Sequence, residues 1–207
     1  MATLVLLRHG QSQWNLENRF TGWVDIDLSP KGVEEAHEAA KKIKGKKIKF
    51  GKAYTSVLVR ATRTLDIVLE DLGQAGILVK KNKALNERMY GDLQGLNKDD
   101  MRRKFGEGQV QMWRRSFDVA PPNGESLKDT CARTLPYYKK CIEKDLLAGK
   151  NVLVCAHGNS LRGIVKYIEK IPDSQIPKVE IPTGQPWVYE MAKKGKKLVI
   201  GKKDILR

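Results

Sequence analysis

The sequence predicts an α/β fold built on a mainly parallel sheet. Short apolar runs alternate with amphipathic helical patterns along the 207 residues, and this order is typical of consecutive βαβ units. The helical patterns carry capping residues at their ends. In addition, two apolar runs end in the same His-Gly pair, and open α/β sheets bind ligands at such carboxyl ends of strands.

The strands are predicted from the apolar runs. Each run is far shorter than the roughly 18 residues that a membrane-spanning helix needs, so no transmembrane span is expected. Turn or cap residues separate the runs from the helical patterns. The runs cover residues 3–7, 52–55, 77–80, 151–156 and 187–191.

The helices are predicted from their caps. Ser29 before a proline is a typical helix start, and Asn97 followed by Asp99 and Asp100 is another, because such residues satisfy the free N–H groups of a helix N-terminus. Pro136 should bend the helix that contains it. The predicted helices run from Ser29 to Gly45, from Ser56 to Gly73, from Asn97 onward, from about Ser126 to Leu147, and from Asn159 or Ser160 to a point before Pro172.

Length and composition fit one domain spanning residues 1–207, because a hydrophobic share of 41% can form an adequate core. The N-terminus has neither the basic start nor the apolar length of a secretion signal, so a cytoplasmic protein is expected. Three cysteines without metal-ligand spacing agree with a reducing compartment. Cys131 and Cys141 are expected on one helix, roughly 15 Å apart, which is too far for a disulfide.

The net charge of +15 and the pI of 9.7 indicate an anionic ligand or partner. Lysine runs at residues 41–52 and 193–203 hold much of the excess, and we expect them to form solvated surface. Neither run interleaves aromatics as single-strand nucleic-acid binders do, and no zinc-finger or RNA-recognition motif is present. A specific nucleic-acid partner is therefore not expected.

Two of the three histidines share one local sequence. LVLLRHGQSQWN at residues 4–15 contains His9, and VLVCAHGNSLRG at residues 152–163 contains His157. If the two strands are parallel neighbours about 4.8 Å apart, the imidazoles can face each other across one substrate. The glycine after each histidine lets backbone N–H groups approach an anion. The alternative is that one of the two is a buried structural histidine.

Arginines near these motifs point to a phosphate. Arg8 precedes His9, and Arg60 falls in the first turn of the second helix, where a cation is unfavourable unless it faces an anion. Arg114 and Arg115 form either a second guanidinium pair for the anion or a solvated helix face. No metal is expected, because neither GxxxxGK[ST] nor HExxH is present. Guanidinium and imidazole groups then carry the charge of phosphoryl transfer.

Two other phosphate chemistries fit less well. DIDLS at residues 25–29 has the Asp-x-Asp spacing of aspartyl-phosphate enzymes, but Gly22 interrupts the strand that should precede it, so a loop is expected. Cys155 and Arg162 are separated by one position more than the cysteine-phosphatase loop allows. A thiolate nucleophile is therefore not expected.

Six blocks of the sequence read LLRHGQSQWNLENRFTGWVDIDLSPKG, AYTSVLVRATRTL, LNERMYGDLQGLNK, QMWRRSFDVAPPNGESLKDT, AHGNSLRGIVKYI and IPTGQPWVYE. In this order they resemble the histidine phosphatase superfamily and, within it, the cofactor-dependent (2,3-bisphosphoglycerate-dependent) phosphoglycerate mutases. The LNER and WRRS blocks are the most specific. The resemblance covers nearly the whole chain and implies a three-layer α/β/α sandwich with a mainly parallel central sheet.

The resemblance also implies roles for single residues. His9 becomes the phosphohistidine, while Arg8 and Arg60 hold the transferring phosphoryl group. His157 stabilises the transition state, and Glu87 donates and accepts the substrate's proton. The substrate contacts that it implies are Arg8, Ser12, Asn15, Thr21, Gly22, Arg60, Glu87, Arg88, Met89, Tyr90, Lys98, Arg114, Arg115, Gly158 and Asn159.

The implied reaction interconverts 3-phosphoglycerate and 2-phosphoglycerate, a step of glycolysis and gluconeogenesis. The implied cofactor is 2,3-bisphosphoglycerate, which primes the phosphohistidine. A phosphatase of the same superfamily, which gives the phosphoryl group to water, is the enzymatic alternative. A basic polyanion-binding module is the alternative without catalysis.

Three features depart from the family pattern. Position 11 is Gln where the family commonly has Glu, which removes a charge near the nucleophile and could tune its basicity. The turn within residues 120–126 is compact, so the family's oligomeric contacts cannot be assumed and the protein is expected to be a monomer or a dimer. The chain ends at Arg207 without a long tail. We expect the lysines of the last segment to reach the anionic intermediate and to cover the site only partly.

Overall fold

A six-stranded sheet forms the centre of the computed structural model, which describes residues 1–206. The strands are β1 (Ala2–Arg8), β2 (Lys52–Thr55), β3 (Val79–Lys81), β4 (Val152–Ala156), β5 (Pro186–Lys194) and β6 (Lys197–Ile205). Their order across the sheet is β3-β2-β4-β1-β5-β6. The first four are parallel, whereas β5 pairs antiparallel with β1 and with β6. The predicted mainly parallel sheet is confirmed.

Eight α-helices connect and cover these strands in the described part of the chain. A π-helical segment, Tyr138–Glu143, continues α6 into α7. The helices are α1 (Gln13–Leu16), α2 (Pro30–Lys44), α3 (Val59–Asp71), α4 (Lys98–Phe105), α5 (Glu107–Arg115), α6 (Leu127–Tyr137), α7 (Lys144–Leu147) and α8 (Gly158–Glu169).

The sheet has one apolar cluster on each face, because successive side chains of a strand point to opposite sides. In β1, Leu4 and Leu6 belong to the cluster with the π-helical segment and helices α7 and α8. Val5 and Leu7 of the same strand belong to the cluster with helices α2 and α3. The result is a helix layer, the sheet and a second helix layer, so the three-layer α/β/α prediction is confirmed.

The cap predictions for α2 and α4 are confirmed. The Ser29 side chain accepts a hydrogen bond from the N–H of Gly32, and Gly45 closes α2. The Asn97 side chain accepts from the N–H groups of Asp99 and Asp100 at the start of α4. Each cap satisfies backbone donors that a helix N-terminus leaves free.

The predicted starts of two other helices were wrong by one to three residues. Helix α3 begins at Val59, because the hydroxyl of Ser56 closes a short turn to the N–H of Leu58 instead of capping the helix. Helix α8 begins at Gly158, with His157 as its N-cap. The second motif histidine therefore directly precedes the first residue of the helix, closer to its N–H groups than predicted.

The irregularity expected in the long helix lies at Pro136. This proline is inside α6 and cannot donate the backbone hydrogen bond of a helix interior. The chain continues as a π-helical segment from Tyr138. A predicted simple bend is thus realised as a local widening of the helix, the usual form of a π-bulge.

The prediction missed the last strand. Its sequence, KLVIGKKDI, was interpreted as a solvated lysine run, but it pairs along its length with β5. The lysines of the run at residues 193–203 are nevertheless exposed, as predicted. In the other run, Lys52 is buried and forms an ion pair with Asp145 at 2.7 Å. Arg207, the end of the segment expected to cover the site, lies outside the described residues.

No helix within residues 1–206 is long and apolar enough to cross a membrane. The three cysteines are free, as predicted for Cys131 and Cys141. Cys155 lies buried in β4, and burial raises the pKa of its thiol. A buried neutral thiol is a poor nucleophile, which agrees with its exclusion from the predicted chemistry.

Candidate active site

His9 and His157 meet at the carboxyl edge of the sheet. They directly follow β1 and β4, which are parallel neighbours with Arg8 in register with Ala156. The N–H of His9 donates to the carbonyl of Ala156 at 3.0 Å. The two imidazole centroids are 4.9 Å apart. The predicted pairing of the two motifs is confirmed.

A cavity of about 220 Å³ opens at this edge. The predicted residues that line it are Arg8, His9, Asn15, Thr21, Gly22, Arg60, Glu87, Tyr90, Lys98, Arg114, Arg115, Gly158 and Asn159. The prediction missed six further lining residues, Arg19, Phe20, Arg162, Glu180, Ile181 and Pro182. Seven of the lining side chains are arginine or lysine and two are glutamate, so the cavity is strongly cationic.

The nucleophile candidate His9 is held as one tautomer. Its Nδ1 lies 2.6 Å from the carbonyl oxygen of Gly10. Because a carbonyl only accepts, Nδ1 carries the proton, and Nε2 keeps its lone pair. Burial, together with Arg60 and Arg8, lowers the pKa of His9 well below its usual value. The ring is therefore neutral at neutral pH, as a nucleophile must be.

Arg8 and Arg60 are fixed by backbone carbonyls. Arg60 is fully buried and donates to the carbonyls of Gly22 at 2.7 Å and Val24 at 3.0 Å. Arg8 donates from one terminal nitrogen to the carbonyl of Ile181 at 2.9 Å. Burial lowers the pKa of Arg60 to about 10, so its guanidinium group stays charged at neutral pH. Within residues 1–206, neither guanidinium group forms an ion pair with a carboxylate.

Glu87, the carboxylate predicted to move the substrate's proton, lines the cavity together with Arg8, His9 and Arg60. Its Oε1 accepts from the N–H of Asn159 at 3.1 Å and from the N–H of Arg88 at 2.7 Å. Its own carbonyl accepts from Trp23 Nε1 at 2.5 Å and from Arg133 at 2.8 Å. Four hydrogen bonds thus hold the residue, while Oε2 remains available to a ligand.

Helix α8 begins at this carboxylate. A side chain on Gly158 would place its Cβ 3.5 Å from Arg8 Cζ and 3.6 Å from Glu87 Oε2. A Cβ at this position would be in ordinary van der Waals contact with both groups, so the start of the helix lies close to Arg8 and Glu87. In the first turn of this helix the N–H of Asn159 donates to the Glu87 carboxylate, and helix N-termini stabilise such negative charge.

Lys98, Arg114 and Arg115 are further cations that line the cavity. Burial and the neighbouring Arg114 and Arg8 lower the pKa of Lys98 to about 8. Burial also lowers the pKa of Arg114. Arg115 forms an ion pair with Glu180, and both line the cavity. Neighbouring cations repel one another and lower each other's pKa values, and a bound polyanion relieves this repulsion.

Four predicted site residues do not line the cavity. Ser12 is buried and caps α1 through the N–H of Asn15, which does line it. His157 lies behind His9, and its Nε2 is 2.7 Å from the hydroxyl of Ser56. Its pKa is lowered well below the usual value, by burial first and then by Arg60. These residues support cavity residues from behind.

The other two are Arg88 and Met89. Arg88 is fully buried and donates to the hydroxyl of Tyr90 at 3.1 Å and to the carbonyl of Arg114 at 2.7 Å. The N–H of Met89 donates to Glu125 at 3.0 Å. The expectation that they contribute backbone to the substrate site is not supported by these contacts, because their groups are turned to protein partners.

The Asp-x-Asp segment and Gln11, both considered in the sequence analysis, have structural partners. Residues 25–29 form a loop, as predicted, and Asp25 accepts from the first N–H of α3, that of Val59, at 2.7 Å. The side chain of Gln11 accepts from the hydroxyl of Ser29 at 2.9 Å. Within residues 1–206, no group of three His, Cys, Asp or Glu side chains is arranged to hold a metal ion.

Comparisons with known proteins agree with this geometry. The family described as "Histidine phosphatase superfamily (branch 1)" matches residues 4–202. The chain is 58% identical to a 2,3-bisphosphoglycerate-dependent phosphoglycerate mutase of Bradyrhizobium diazoefficiens and 59% identical to one of Nitrobacter hamburgensis. Each alignment covers 188 residues, 91% of this chain and 91% of the relative.

Solved structures share the fold. The structure of a mycobacterial glucosyl-3-phosphoglycerate phosphatase complexed with VO3 aligns with a TM-score of 0.84 and 26% identity, covering 99% of this chain and 98% of that one. Bacillus stearothermophilus YhfR aligns with a TM-score of 0.80 and 25% identity, covering 97% and 96%.

Proposed function

The chain belongs to the histidine phosphatase superfamily, and from that premise we propose that it interconverts 3-phosphoglycerate and 2-phosphoglycerate as a 2,3-bisphosphoglycerate-dependent mutase. The observation that carries this proposal is the neutral, single-tautomer His9 at the end of a cavity with seven cationic side chains. The close identity to mutases over most of the chain supports the same reaction. It is a step of glycolysis and gluconeogenesis.

His9 is the nucleophile in this proposal. The primer first phosphorylates Nε2 of His9, and the phosphohistidine gives this group to the free hydroxyl of the bound monophosphoglycerate, which becomes a bisphosphate. The phosphoryl group on the other carbon then returns to Nε2, so that the isomer is released and the phosphohistidine is restored. Arg8 and Arg60 stabilise the charge on the phosphoryl oxygens as the bond to nitrogen forms. Their anchoring to backbone carbonyls keeps them in place between steps. His157, one ring away, stabilises the transition state through its contact with the His9 pocket.

Glu87 moves the proton of the substrate hydroxyl. Two backbone N–H groups hold its Oε1, so Oε2 can accept the hydroxyl proton when oxygen attacks phosphorus. The same oxygen returns the proton when phosphoryl transfer runs in reverse. A fixed carboxylate among cations suits this role, because general acid–base catalysis depends first on position.

The second anionic end of the ligand fits the cationic wall. Lys98, Arg114 and Arg115 line the same cavity as the His9 cluster, together with the amide side chains of Asn15 and Asn159. Bisphosphoglycerate carries about four to five negative charges at neutral pH, which the seven lining cations offset. Two cationic ends let the carbon chain turn over while each phosphate stays paired.

We also propose that residues 1–207 act as one domain, since all six strands join one sheet, and that the enzyme acts in the cytoplasm on phosphoglycerates as a monomer or a dimer. A phosphatase activity would use the same His9 chemistry with water as the acceptor. The polyanion-binding alternative does not need a single-tautomer histidine beside a held carboxylate.

The test follows two products separately. Purified protein is incubated with 3-phosphoglycerate and a trace of 2,3-bisphosphoglycerate, and 2-phosphoglycerate and free phosphate are both measured. We expect 2-phosphoglycerate to form with little free phosphate, and His9→Ala to abolish it. His37→Ala, an exposed histidine on α2, is the matched control and should retain activity. Release of phosphate without 2-phosphoglycerate would instead support the phosphatase alternative. If His9→Ala still formed either product at the wild-type rate, His9 would not be the nucleophile.

A further inference from the structure

Arg162 is a buried arginine in the wall of the active-site cavity that the sequence did not assign. It lies on α8, one turn after Asn159, and only 3% of the residue is exposed. Both residues line the cavity. Nη1 of Arg162 donates to Oδ1 of Asn159 at 3.0 Å. The guanidinium therefore contacts a proposed substrate-binding side chain, not only the fold.

The direction of this hydrogen bond fixes the orientation of the Asn159 amide. A guanidinium has only donors, so the atom that faces it must be the amide oxygen. The amide nitrogen Nδ2 is then turned the other way. Among the hydrogen bonds within residues 1–206, Nδ2 has no protein acceptor, although the N–H of Asn159 is already used by Glu87. Nδ2 is thus the polar group that this residue offers to a ligand.

The other terminal nitrogen of Arg162 fixes the guanidinium itself. Nη2 donates to the carbonyl of Ile176 at 2.6 Å and lies 3.4 Å from the carbonyl of Arg115. These carbonyls come from the segment after α8 and from the end of α5. Because the plane of the guanidinium is held at two sides, the Nη1 donor cannot follow a flipping amide.

We propose that Arg162 is a positioning residue that makes Asn159 a donor to the bound anion. Without it, the amide can rotate by half a turn and present its oxygen to a negatively charged ligand oxygen, which repels it. The identity of that anion as a phosphoglycerate rests on the proposed function. The orientation of the amide and its effect on anion affinity do not.

The test is a double-mutant cycle on ligand affinity. The dissociation constant of 3-phosphoglycerate is measured by calorimetry for Arg162→Met, Asn159→Ala and the double variant. We expect each single change to weaken binding by about 10-fold, the effect of losing one charge-assisted hydrogen bond, and the double variant to be no weaker than either. Lys166→Met, one turn further on α8 and hydrogen-bonded to the carbonyl of Ile171, is the matched control and should bind normally.

Two further variants separate positioning from a merely structural role. Asn159→Asp keeps the acceptor for Arg162 but has no Nδ2 donor, so it should fold normally and bind at least as weakly as Asn159→Ala. Arg162→Lys keeps one donor and should recover part of the affinity, but only when Asn159 is present. These two variants decide the question if Arg162→Met does not fold.

Independent, multiplicative losses in the double variant would overturn the proposal, as would a normal affinity of Asn159→Asp. Inorganic phosphate is titrated in parallel as a second probe. If the wild-type protein binds phosphate but shows no mutase activity, the proposed function fails while the coupling between the two residues is still measured on phosphate. If the mutase is active and the coupling is absent, only the role of Arg162 fails.

Discussion

The imidazoles of His9 and His157 stand edge to face, with their centroids 4.9 Å apart and their planes inclined by 63°. Parallel pairing of β1 and β4 sets this distance, because each histidine is the residue after its strand. Both pKa values are lowered well below the usual value, by burial first and then by Arg60. The pair is thus neutral, so His9 is nucleophilic at neutral pH.

His9→Ala should abolish acid-labile phosphorylation by 2,3-bisphosphoglycerate, because no other group in the cavity offers a free imidazole nitrogen at this place. His157→Ala should slow labelling while leaving the fold intact, since it removes only the supporting ring. Labelling with radioactive phosphate and acid lability of the product measure both. Label that persists in His9→Ala, or that maps to Cys155, contradicts the assignment.

The free energy of unfolding should fall as the pH drops below about 6.5. The unfolded chain binds a proton at each histidine near its usual pKa of 6.5, whereas His9 and His157 stay neutral in the folded protein until well below it. The unfolded state then binds more protons, so stability is lost as pH falls, by about 1.4 kcal/mol per pH unit for each group. The free energy of unfolding is measured by urea unfolding at several pH values between 7.5 and 5.5. It should depend less steeply on pH in His9→Ala than in the wild type. Equal slopes would mean that His9 titrates alike in both states.

Glu87→Gln should lower kcat by roughly 10²–10⁴-fold, the usual contribution of a general acid–base group. The Gln oxygen can still accept from the N–H groups of Arg88 and Asn159, so the geometry is retained and KM should change only a few-fold. Steady-state kinetics at saturating primer measure both. A large rise in KM with kcat preserved would make Glu87 a binding residue.

The KM for 3-phosphoglycerate should rise between pH 7 and 9, because Lys98 has a pKa of about 8 and loses its charge in this range. The lysine is protonated below that pKa, so anion binding weakens as pH increases through it. The pH dependence of kcat/KM reports pKa values of the free enzyme. It therefore shows the titration of Lys98 before bound substrate raises the pKa of this lysine. Lys98→Arg, which stays charged, should remove this rise. A rise of the same size in Lys98→Arg would assign it to another group.

The sequence predicted the parts of the site that lie next to strand ends. The His-Gly motifs follow apolar runs, and parallel pairing then places His9 beside His157 without further information. Arg60 was predicted because a cation in a first helical turn is unfavourable alone, and it does face the cavity. Local patterns are sufficient here because each residue is fixed within one element.

Residues that reach the cavity from distant loops were not predictable in the same way. Glu180 arrives on the segment before β5 and pairs with Arg115 across 65 positions. The sequence analysis considered Arg162 only in excluding a cysteine-phosphatase loop with Cys155. Its separation of three residues from Asn159 on a helix does, however, predict contact between the two side chains. Strand β6 was missed because its lysines obscure the alternation, although one of them, Lys203, packs over the ring of Trp187 at 4.1 Å.

The position of β6 changes what removal of the last residues should do. The strand pairs with β5 at the edge of the sheet, and none of its residues lines the cavity, so the expectation that its lysines reach the intermediate was wrong. Deleting the chain from Gly201 onward removes the partly buried Ile205 and the buried Leu206. Burial of such side chains stabilises by about 1.5–3 kcal/mol each, so the free energy of unfolding should fall by about 3 kcal/mol or more.

The ratio of hydrolysis to transfer should be the same in the truncated and full-length proteins at a temperature where both are folded, with salt held constant because lysine charges are screened. Leu206→Ala provides a control that loses stability without losing lysines, and Lys202→Ser, an exposed position, provides one that loses charge alone. Both should retain the wild-type ratio. An increase in hydrolysis in the truncated protein and in Lys202→Ser, but not in Leu206→Ala, would show that the charge of this segment protects the phosphohistidine. If all ratios agree, we expect another part of the cavity wall to keep water out, namely the part that carries Lys98, Arg114 and Arg115. These residues lie on helices α4 and α5, which meet at Gly106. The φ of Gly106 is 83°, a value that only glycine adopts readily.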